Sequence, residues 1–417
     1  WHSFVDAISG EILFHYNSTA TDGASTATAT NLNGESRIVH GFETGGLFYM
    51  IDASRSMFAD HQPNILNDPR GAIWTLTADN TDLDDSDPLF QVVSEDNDWD
   101  DPVAVSAHTN ACDVYQYFLD VHGRLAIDGA GSTIISFIHV TEDNQLMQNA
   151  YWNGRFMAYG DGGGGILPLA TSLDVAAHEM THGVIQNTVN LEYAFESGAL
   201  NESFADVFGA MVDREDWLIG EDVIDRDLLG IEAVRDMSDP NRFSQPAHMD
   251  EFAILDIDED NGGVHINSGI PNRACFLIAE AIGREKTEQI YYRIMDARYL
   301  NPRSNFIDMR LAAMRSAADL FGDPSAELDA VATAFDAVGI IGETGLEPPP
   351  DIEPLAGEEW ILITNAEADD NSLYIARPEI DKKDDIVQLT TTQVSAVTSN
   401  SVSVSSDGSF VLFVDSD

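Results

Sequence analysis

Hydrophobic positions change period several times along the 417 residues, and each change marks an element. Residues 1–17 (WHSFVDAISGEILFHYN) alternate as two short strands around Ile8-Ser9-Gly10. Residues 18–34 are rich in Ser, Thr, Ala, Gly and Asn, the composition of a linker. From about 36 to 100 the pattern is short strands and turns, with a strongly acidic loop from Asp79 to Asp101. Val103 to Val121 carries apolar residues at helical spacing, and Ser132 to Val140 reads as a strand. A Gly-rich turn at 159–165 lacks the Lys-Ser/Thr of a phosphate loop. After Leu173 the pattern is mainly helical up to about Gly342. Residues 343–357 (ETGLEPPPDIEPLAG) form a Pro- and Glu-rich linker. Alternating runs return at Trp360–Ile363, Ser372–Ile375, Ser401–Val404 and Ser409–Val414, with a turn at Ser406-Asp407-Gly408. The expected architecture is α+β. It comprises a β-rich lobe over 23–172, a helical lobe over 173–342, and a small all-β extension over 358–417.

With 44% apolar residues, the chain can build a large core and more than one domain. Charge narrows the partners. The chain has 20 Lys+Arg against 72 Asp+Glu, a formal net charge of −52, and Lys stands only at 286, 382 and 383. So acidic a surface repels nucleic acid and anionic membranes. It suits a protein kept soluble at high salt, where counterions screen self-repulsion, and it leaves carboxylates available as calcium ligands. No uninterrupted apolar run reaches bilayer-spanning length. Cys112 and Cys275 are too few for a disulfide scaffold and read as buried free thiols. The chain opens on Trp and stops after Asp415-Ser416-Asp417, and so reads as a piece of a longer precursor.

The chemistry concentrates in His178-Glu179-Met180-Thr181-His182. Two His four apart on a helix leave the same face one turn apart and can share one metal ion. Glu179 lies beside the first and can reach a metal-bound water. Twenty residues after His182, Asn201-Glu202-Ser203-Phe204-Ala205-Asp206 offers Glu202 as third ligand, leaving one tetrahedral position open. Asp206, one turn on, can accept the outer N–H of a ligating His. Further on, Asp260 precedes His265 by five residues, with Gly262 and Gly263 between them. The run Asn149-Ala150-Tyr151-Trp152-Asn153-Gly154 suits strand addition of an extended peptide.

These stretches resemble the thermolysin family of zinc metallopeptidases. The motifs are NAYWNGRFMAYGDG (149–162), LPLATSLDVAAHEMTHGVIQ (167–186), ESGALNESFADVFG (196–209), VRDMSDP (234–240), DNGGVHINSG (260–269) and DMRLAAMRSAADLFG (308–322). The resemblance implies a two-lobed fold with zinc in the cleft. His178, His182 and Glu202 would be the zinc ligands and Glu179 the general base. His265 and Tyr193 would stabilise the oxyanion, Asp260 would orient His265, and Asp206 would orient His178. Asn149, Ala150 and Arg235 would hold the substrate backbone. Leu169, Val175, Ile219 and Val223 would line an apolar pocket, implying cleavage before a bulky apolar residue. Calcium maps to Asp174, Asp213, Asp216 and Glu221. Asp213 stands where the family usually has Glu, and the loop to Glu221 is short, so one ion is expected there. Residues 1–22 resemble the end of the family's propeptide, which implies a secreted, extracellular proenzyme whose partners are protein and peptide substrates and its own propeptide. A monomer is expected. The tail faintly resembles a β-propeller repeat.

Two competing readings are a catalytically silent zinc-binding or adhesive protein on the same fold and a zinc hydrolase acting on non-peptide substrates. A full catalytic set argues against the first. The backbone-binding set Asn149, Ala150 and Arg235 argues against the second.

Overall fold

The computed structural model describes residues 22–59, 62–83 and 90–342 with their side chains, Ser9, and the backbone of strands at 2–5, 12–16, 361–364, 373–376, 386–388, 402–404 and 411–413. Its contacts divide into two units, Trp1–Glu343 and Thr344–Asp417.

In the first unit, β1 (His2–Val5) and β2 (Ile12–Tyr16) form an antiparallel hairpin. β3 (Gly23–Thr30) pairs with β4 (Ser36–Thr44) along its whole length, Gly23 opposite Glu43 and Thr30 opposite Ser36. This corrects the reading of 18–34 as a linker. The run Ala24-Ser25-Thr26-Ala27-Thr28-Ala29-Thr30 alternates half-buried and exposed positions, and its β-branched Thr residues favour the pleated form. β5 (Leu47–Tyr49) continues that sheet and β9 (Val93–Ser94) closes it. A second sheet runs in the order β12 (Ala150–Trp152), β13 (Met157–Gly160), β10 (Ile134–Glu142), β7 (Ile73–Asp82), β6 (Ile51–Asp52), with β11 (Gln145–Leu146) and β8 (Phe90–Gln91) at its margins. The acidic stretch expected as one loop from 79 is thus partly strand, since β7 runs to Asp82 and β8 and β9 follow. Residues 84–89 lie outside the described residues.

β10 lies parallel to both β7 and β13, and the chain between β7 and β10 passes through helix α1 (Pro102–His122). Asp101 caps α1 by accepting from the Val103 amide at 2.9 Å, Pro102 occupies its first turn, and Gly123 ends it in the left-handed conformation.

The rest of the unit is helical. α2 (Leu173–Asn187) and α3 (Phe195–Val212) come first, and α3 is buried continuously from Ser197 to Met211, the pattern of a central helix. Then follow the single turn α4 (Arg226–Leu229), α5 (Asp260–Asn267), α6 (Gly269–Ile282), α7 (Arg284–Asp296), α8 (Phe306–Phe321) and α9 (Ala326–Ala337). Asn305 and Asp308 form a reciprocal capping box on α8. The mainly helical pattern is interrupted between 213 and 259. That stretch holds the short antiparallel pair β14 (Leu218–Ile219) and β15 (Arg235–Asp236) with brief helical turns. His265 lies on α5, after the non-helical residues Asn261, Gly262 and Gly263. Cys112 and Cys275 are free and buried.

The second unit contains the three-stranded sheet β16 (Ile361–Thr364), β17 (Leu373–Ala376), β18 (Ile386–Gln388) and the hairpin β19 (Val402–Val404), β20 (Val411–Phe413). The linker 343–357 and the turn at 406–408 lie outside the described residues.

One buried polar contact ties α1 to both sheets. His108 is fully buried. Its Nε2 bonds the His40 carbonyl of β4 at 2.8 Å and its Nδ1 the Thr75 hydroxyl of β7 at 2.9 Å. The arrangement is satisfied by the neutral ring, which donates at Nε2 and accepts at Nδ1. Burial pushes the His108 pKa down to about 4, against a partial pull upward from Asp52. As pH falls from 6.5 toward 4, the unfolded chain therefore takes up a proton that the fold refuses, and stability drops by up to about 3 kcal/mol. In His108→Gln, which keeps a donor and an acceptor but cannot titrate, the loss of Tm between pH 7 and pH 4.5 should be visibly smaller than in the parent. Parallel melting curves with the same slope in that window would show that His108 does not couple the fold to pH.

Candidate metal centre and substrate cleft

α2 and α3 bring three ligand groups to one point. The Nε2 atoms of His178 and His182 lie 3.0 Å apart, and each is 3.4 Å from a different oxygen of Glu202. All three donor atoms fall within 4.8 Å of one another. The outer ring nitrogens are already committed. His178 Nδ1 faces Asp206 Oδ1 at 2.8 Å, and His182 Nδ1 faces Asn201 Oδ1 at 2.8 Å. Both Nδ1 atoms therefore carry the proton, and both Nε2 atoms present lone pairs to each other and to a carboxylate. Glu202 is 1% exposed, and its Oε2 is buried with no hydrogen-bond partner. Two lone pairs and a buried carboxylate at these distances repel unless a cation sits among them, so the donor set fits a zinc ion.

A proton taken up by the group relieves the same repulsion, and the electrostatics favour one on His178. Burial would push His178 down, but Glu202 and Asp206 outweigh it and raise the pKa to about 10. Burial would likewise raise Glu202, yet His182, His178 and His265 hold it well below the usual carboxylate range. His178 and Glu202 favour their charged forms because each faces the other.

Asp206 is a second hub. Besides His178 it accepts from Arg235 Nε at 2.8 Å and Nη2 at 2.6 Å, and from Asn272 Nδ2 at 2.8 Å. Arg235, on β15, is thereby held at the cleft wall. Asn201 and Asn272 were not singled out from sequence. Asn201 adjoins Glu202 within the quoted motif, but its pairing with His182 depends on how α3 is rotated against α2. Asn272 lies on α6, outside any quoted stretch.

On the other side, Tyr193 donates its hydroxyl to Glu202 Oε1 and lies 3.0 Å from His265 Nε2. His265 Nδ1 faces Asp260 Oδ1 at 2.5 Å, and the His265 amide donates to Asp260 Oδ2 at 2.9 Å.

These groups open onto one cleft of about 660 Å³. Glu179, 6% exposed, lies in its lining with His178, His182, Glu202, Tyr193 and His265. Asn149, Ala150 and Arg235 also line it, as do Leu169, Val175, Ile219 and Val223. Ile166 and Val234 extend the apolar part. Asp206 and Asp260 stand behind the residues they orient and are not in the lining. Ala150 belongs to β12, the edge of its sheet, whose one partner along the sheet is β13. The Gly-rich turn bends the chain back onto this wall. Gly162 has φ +74, and a Cβ there would sit 2.3 Å from the Ile166 carbonyl oxygen.

The residues expected to hold calcium surround one corner of α2. Asp174 is buried, accepting from the Val175 amide at 2.6 Å and the Gly220 amide at 2.6 Å. Burial and then Asp174 raise Asp213 to about 6 and Glu221 to about 8, with Asp216 adding to the effect on Glu221. Glu221 Oε2 is buried without a hydrogen-bond partner. Their oxygens do not converge as tightly as the zinc group, which is the one cluster within that radius among the described residues.

Two models of known protein families match the chain one after the other. The thermolysin metallopeptidase catalytic domain matches residues 26–186, and the thermolysin metallopeptidase alpha-helical domain matches residues 189–340. A bacillolysin of Brevibacillus brevis is 41% identical over 352 residues, covering 82% of this chain and 62% of that protein. An extracellular elastase of Staphylococcus epidermidis is 38% identical over 348 residues, covering 82% and 63%. This chain thus spans less than two thirds of the length of these curated relatives. Among solved structures, the precursor of protealysin, a metalloproteinase from Serratia proteamaculans, aligns with a TM-score of 0.57 and 31% identity, covering 68% of this chain and 91% of that chain. With both family domains matched in order and the His178–His182–Glu202 cluster formed across them, this chain belongs to the thermolysin metallopeptidase family.

Proposed function

We propose that the protein is a secreted zinc endopeptidase that hydrolyses peptide bonds on the N-terminal side of bulky apolar residues. The observation that carries this reading is the convergence of Glu179, the His178–His182–Glu202 cluster and the Tyr193–His265 pair on one cleft whose wall is an edge strand. Secretion rests on kinship with proteins such as the extracellular elastase, and among the described residues no helix is long and apolar enough to cross a membrane.

His178, His182 and Glu202 would hold zinc, which when bound would polarise a peptide carbonyl and make a water molecule acidic near pH 7. Glu179 would take the water's proton and pass it to the leaving amine. Tyr193 and His265 would donate to the carbonyl oxygen as it gains charge. Because His265 Nδ1 is engaged by Asp260, donation from Nε2 requires the doubly protonated ring, and Asp260 supplies the counter-charge for it. Asn149 and Ala150 beside the edge strand, and Arg235 clamped by Asp206, would hold the substrate backbone. Leu169, Val175, Ile219 and Val223 would take the apolar side chain after the scissile bond. Asp174, Asp213, Asp216 and Glu221 would bind one calcium ion, supported by the unpartnered Glu221 oxygen and the mutual repulsion it would relieve. Residues 1–22 would be the end of a propeptide removed on maturation, and the mature enzyme would act as a monomer on protein and peptide substrates.

A quenched peptide with Leu just after the scissile bond tests the reading. The processed protein should cleave it, a zinc chelator should abolish cleavage, and added zinc should restore it. Glu179→Gln should keep zinc but lose about 10²–10⁴-fold in kcat. A folded, zinc-loaded, processed protein that cuts nothing at any salt concentration would leave a binding protein on a peptidase fold. For the hub carboxylate, Asp206→Asn should weaken zinc binding about 10–100-fold in a chelator competition; unchanged affinity would mean that Asp206 does not orient His178. For calcium, removing it with zinc retained should lower Tm, and a melting curve that does not move would take Asp174, Asp213, Asp216 and Glu221 out of any metal site.

A further inference from the structure

The backbone at the start of α3 is unusual. Phe195 has φ +51, the one Phe, Tyr or Trp in the left-handed region among the described residues. That conformation is a genuine outlier for a bulky side chain and persists only where the surroundings over-determine it. The Phe195 side chain is not sunk in the core, for the residue is 51% exposed. Its ring lies instead against Gly262, where an added Cβ would sit 2.3 Å from it.

Gly262 belongs to a run of four left-handed residues: Asp260 (φ 52), Asn261 (φ 50), Gly262 (φ 83) and Gly263 (φ 85). Asp260 and Asn261 are not glycines, so this turn is strained on its own account. It carries the carboxylate that grips His265 twice, at Nδ1 and at the amide. Further along both segments, a Cβ at Gly198 of α3 would sit 2.4 Å from Val264. The first turn of α3 and the start of α5 are thus pressed together at two points. Of these two contacts the Phe195 ring is the one on the left-handed turn itself, while Leu255 and Asn267 lie against the turn at Gly263.

We propose that Phe195 is a positioning residue for His265. Its ring clamps the Asp260–Gly263 turn against α3, the helix that carries Glu202, and so fixes the Asp260–His265 pair relative to the metal ligands. The strained backbone at Phe195 places the ring over Gly262, which a relaxed N-terminus of α3 would not do. The kinetic part of this inference rests on the peptidase reading. The structural part does not.

Two variants separate the ring from the backbone. Phe195→Gly accepts the left-handed backbone but has no ring, and Phe195→Tyr keeps the ring. In Phe195→Gly, amide exchange over residues 260–267 should accelerate at least tenfold, because the His265 amide loses its fixed acceptor. The kcat should fall about tenfold, less than the roughly 10²–10³-fold expected for removing an oxyanion donor outright. KM should stay within about twofold of the parent, zinc should remain bound, and Phe195→Tyr should restore both exchange and kcat. Exchange unchanged in Phe195→Gly overturns the proposal, since the turn would then hold itself. Loss of zinc in Phe195→Gly also overturns it, because the ring would then act through α3 and not through the turn. If the parent itself is inactive, the peptidase reading falls and the exchange comparison still decides whether Phe195 holds the turn.

Discussion

Two imidazole lone pairs and a carboxylate aimed at the same few cubic ångströms of buried space are the constraint around which this structure is organised. The pair of Nε2 atoms 3.0 Å apart and the 1%-exposed Glu202 would force one another apart in an unsupported chain. They stay because α2 and α3 hold them from behind. Asp206 and Asn201 fix the ring tautomers, Arg235 and Asn272 satisfy what remains of Asp206, and α3 is buried along nearly its whole length. So close a grouping of polar and charged groups needs a rigid frame, and the central position of α3 supplies one. A cation bound there would draw on the same contacts that join α2 to α3, which would couple metal binding to folding.

The parts of the site that were legible in the sequence are those whose geometry is local. His178 and His182 are one helical turn apart, as are Glu202 and Asp206, so a helix alone determines which pairs share a face. What was not legible depends on how helices and strands rotate against each other. Asn201 differs from its neighbours only by pointing at His182, and Asn272 reaches Asp206 from a helix with no motif of its own. Asp260-Asn261-Gly262-Gly263 has the composition of a turn. It is one, but a left-handed turn that feeds directly into a helix.

The fold shows the same division. Helix α1 was placed within a residue at each end, since its apolar spacing, proline start and glycine stop all agree. Strand β3 was missed because Ser, Thr and Ala dominate both linkers and edge strands, and its alternation is in size and β-branching more than in polarity. Between 213 and 259 the chain bends back on itself to form one wall of the cleft. Its few strand residues are positioned by contacts such as the Gly220 amide on Asp174 and the Val234 amide on the Ile219 carbonyl, neither of which has a periodic signature.

Charge distribution closes the argument. The chain carries a formal −52, yet the cleft lining holds carboxylates only at Glu179 and Glu202, and it sets Arg235 and three imidazoles beside them. Every other position in that lining is apolar or neutral, and the acidic excess lies elsewhere on the chain. A cleft built this way leaves its local field to the few charged groups in its lining, because close, partly buried charges are screened far less than surface ones. The acidic exterior then acts at longer range, where salt controls it, on solubility and on the approach of charged substrates. Separating the two lets the exterior become more acidic without disturbing Glu179, the histidines or Tyr193 in the cleft. It is also why Arg235 is held by a buried Asp206 and not by a surface partner: its geometry is then insulated from the ionic strength outside.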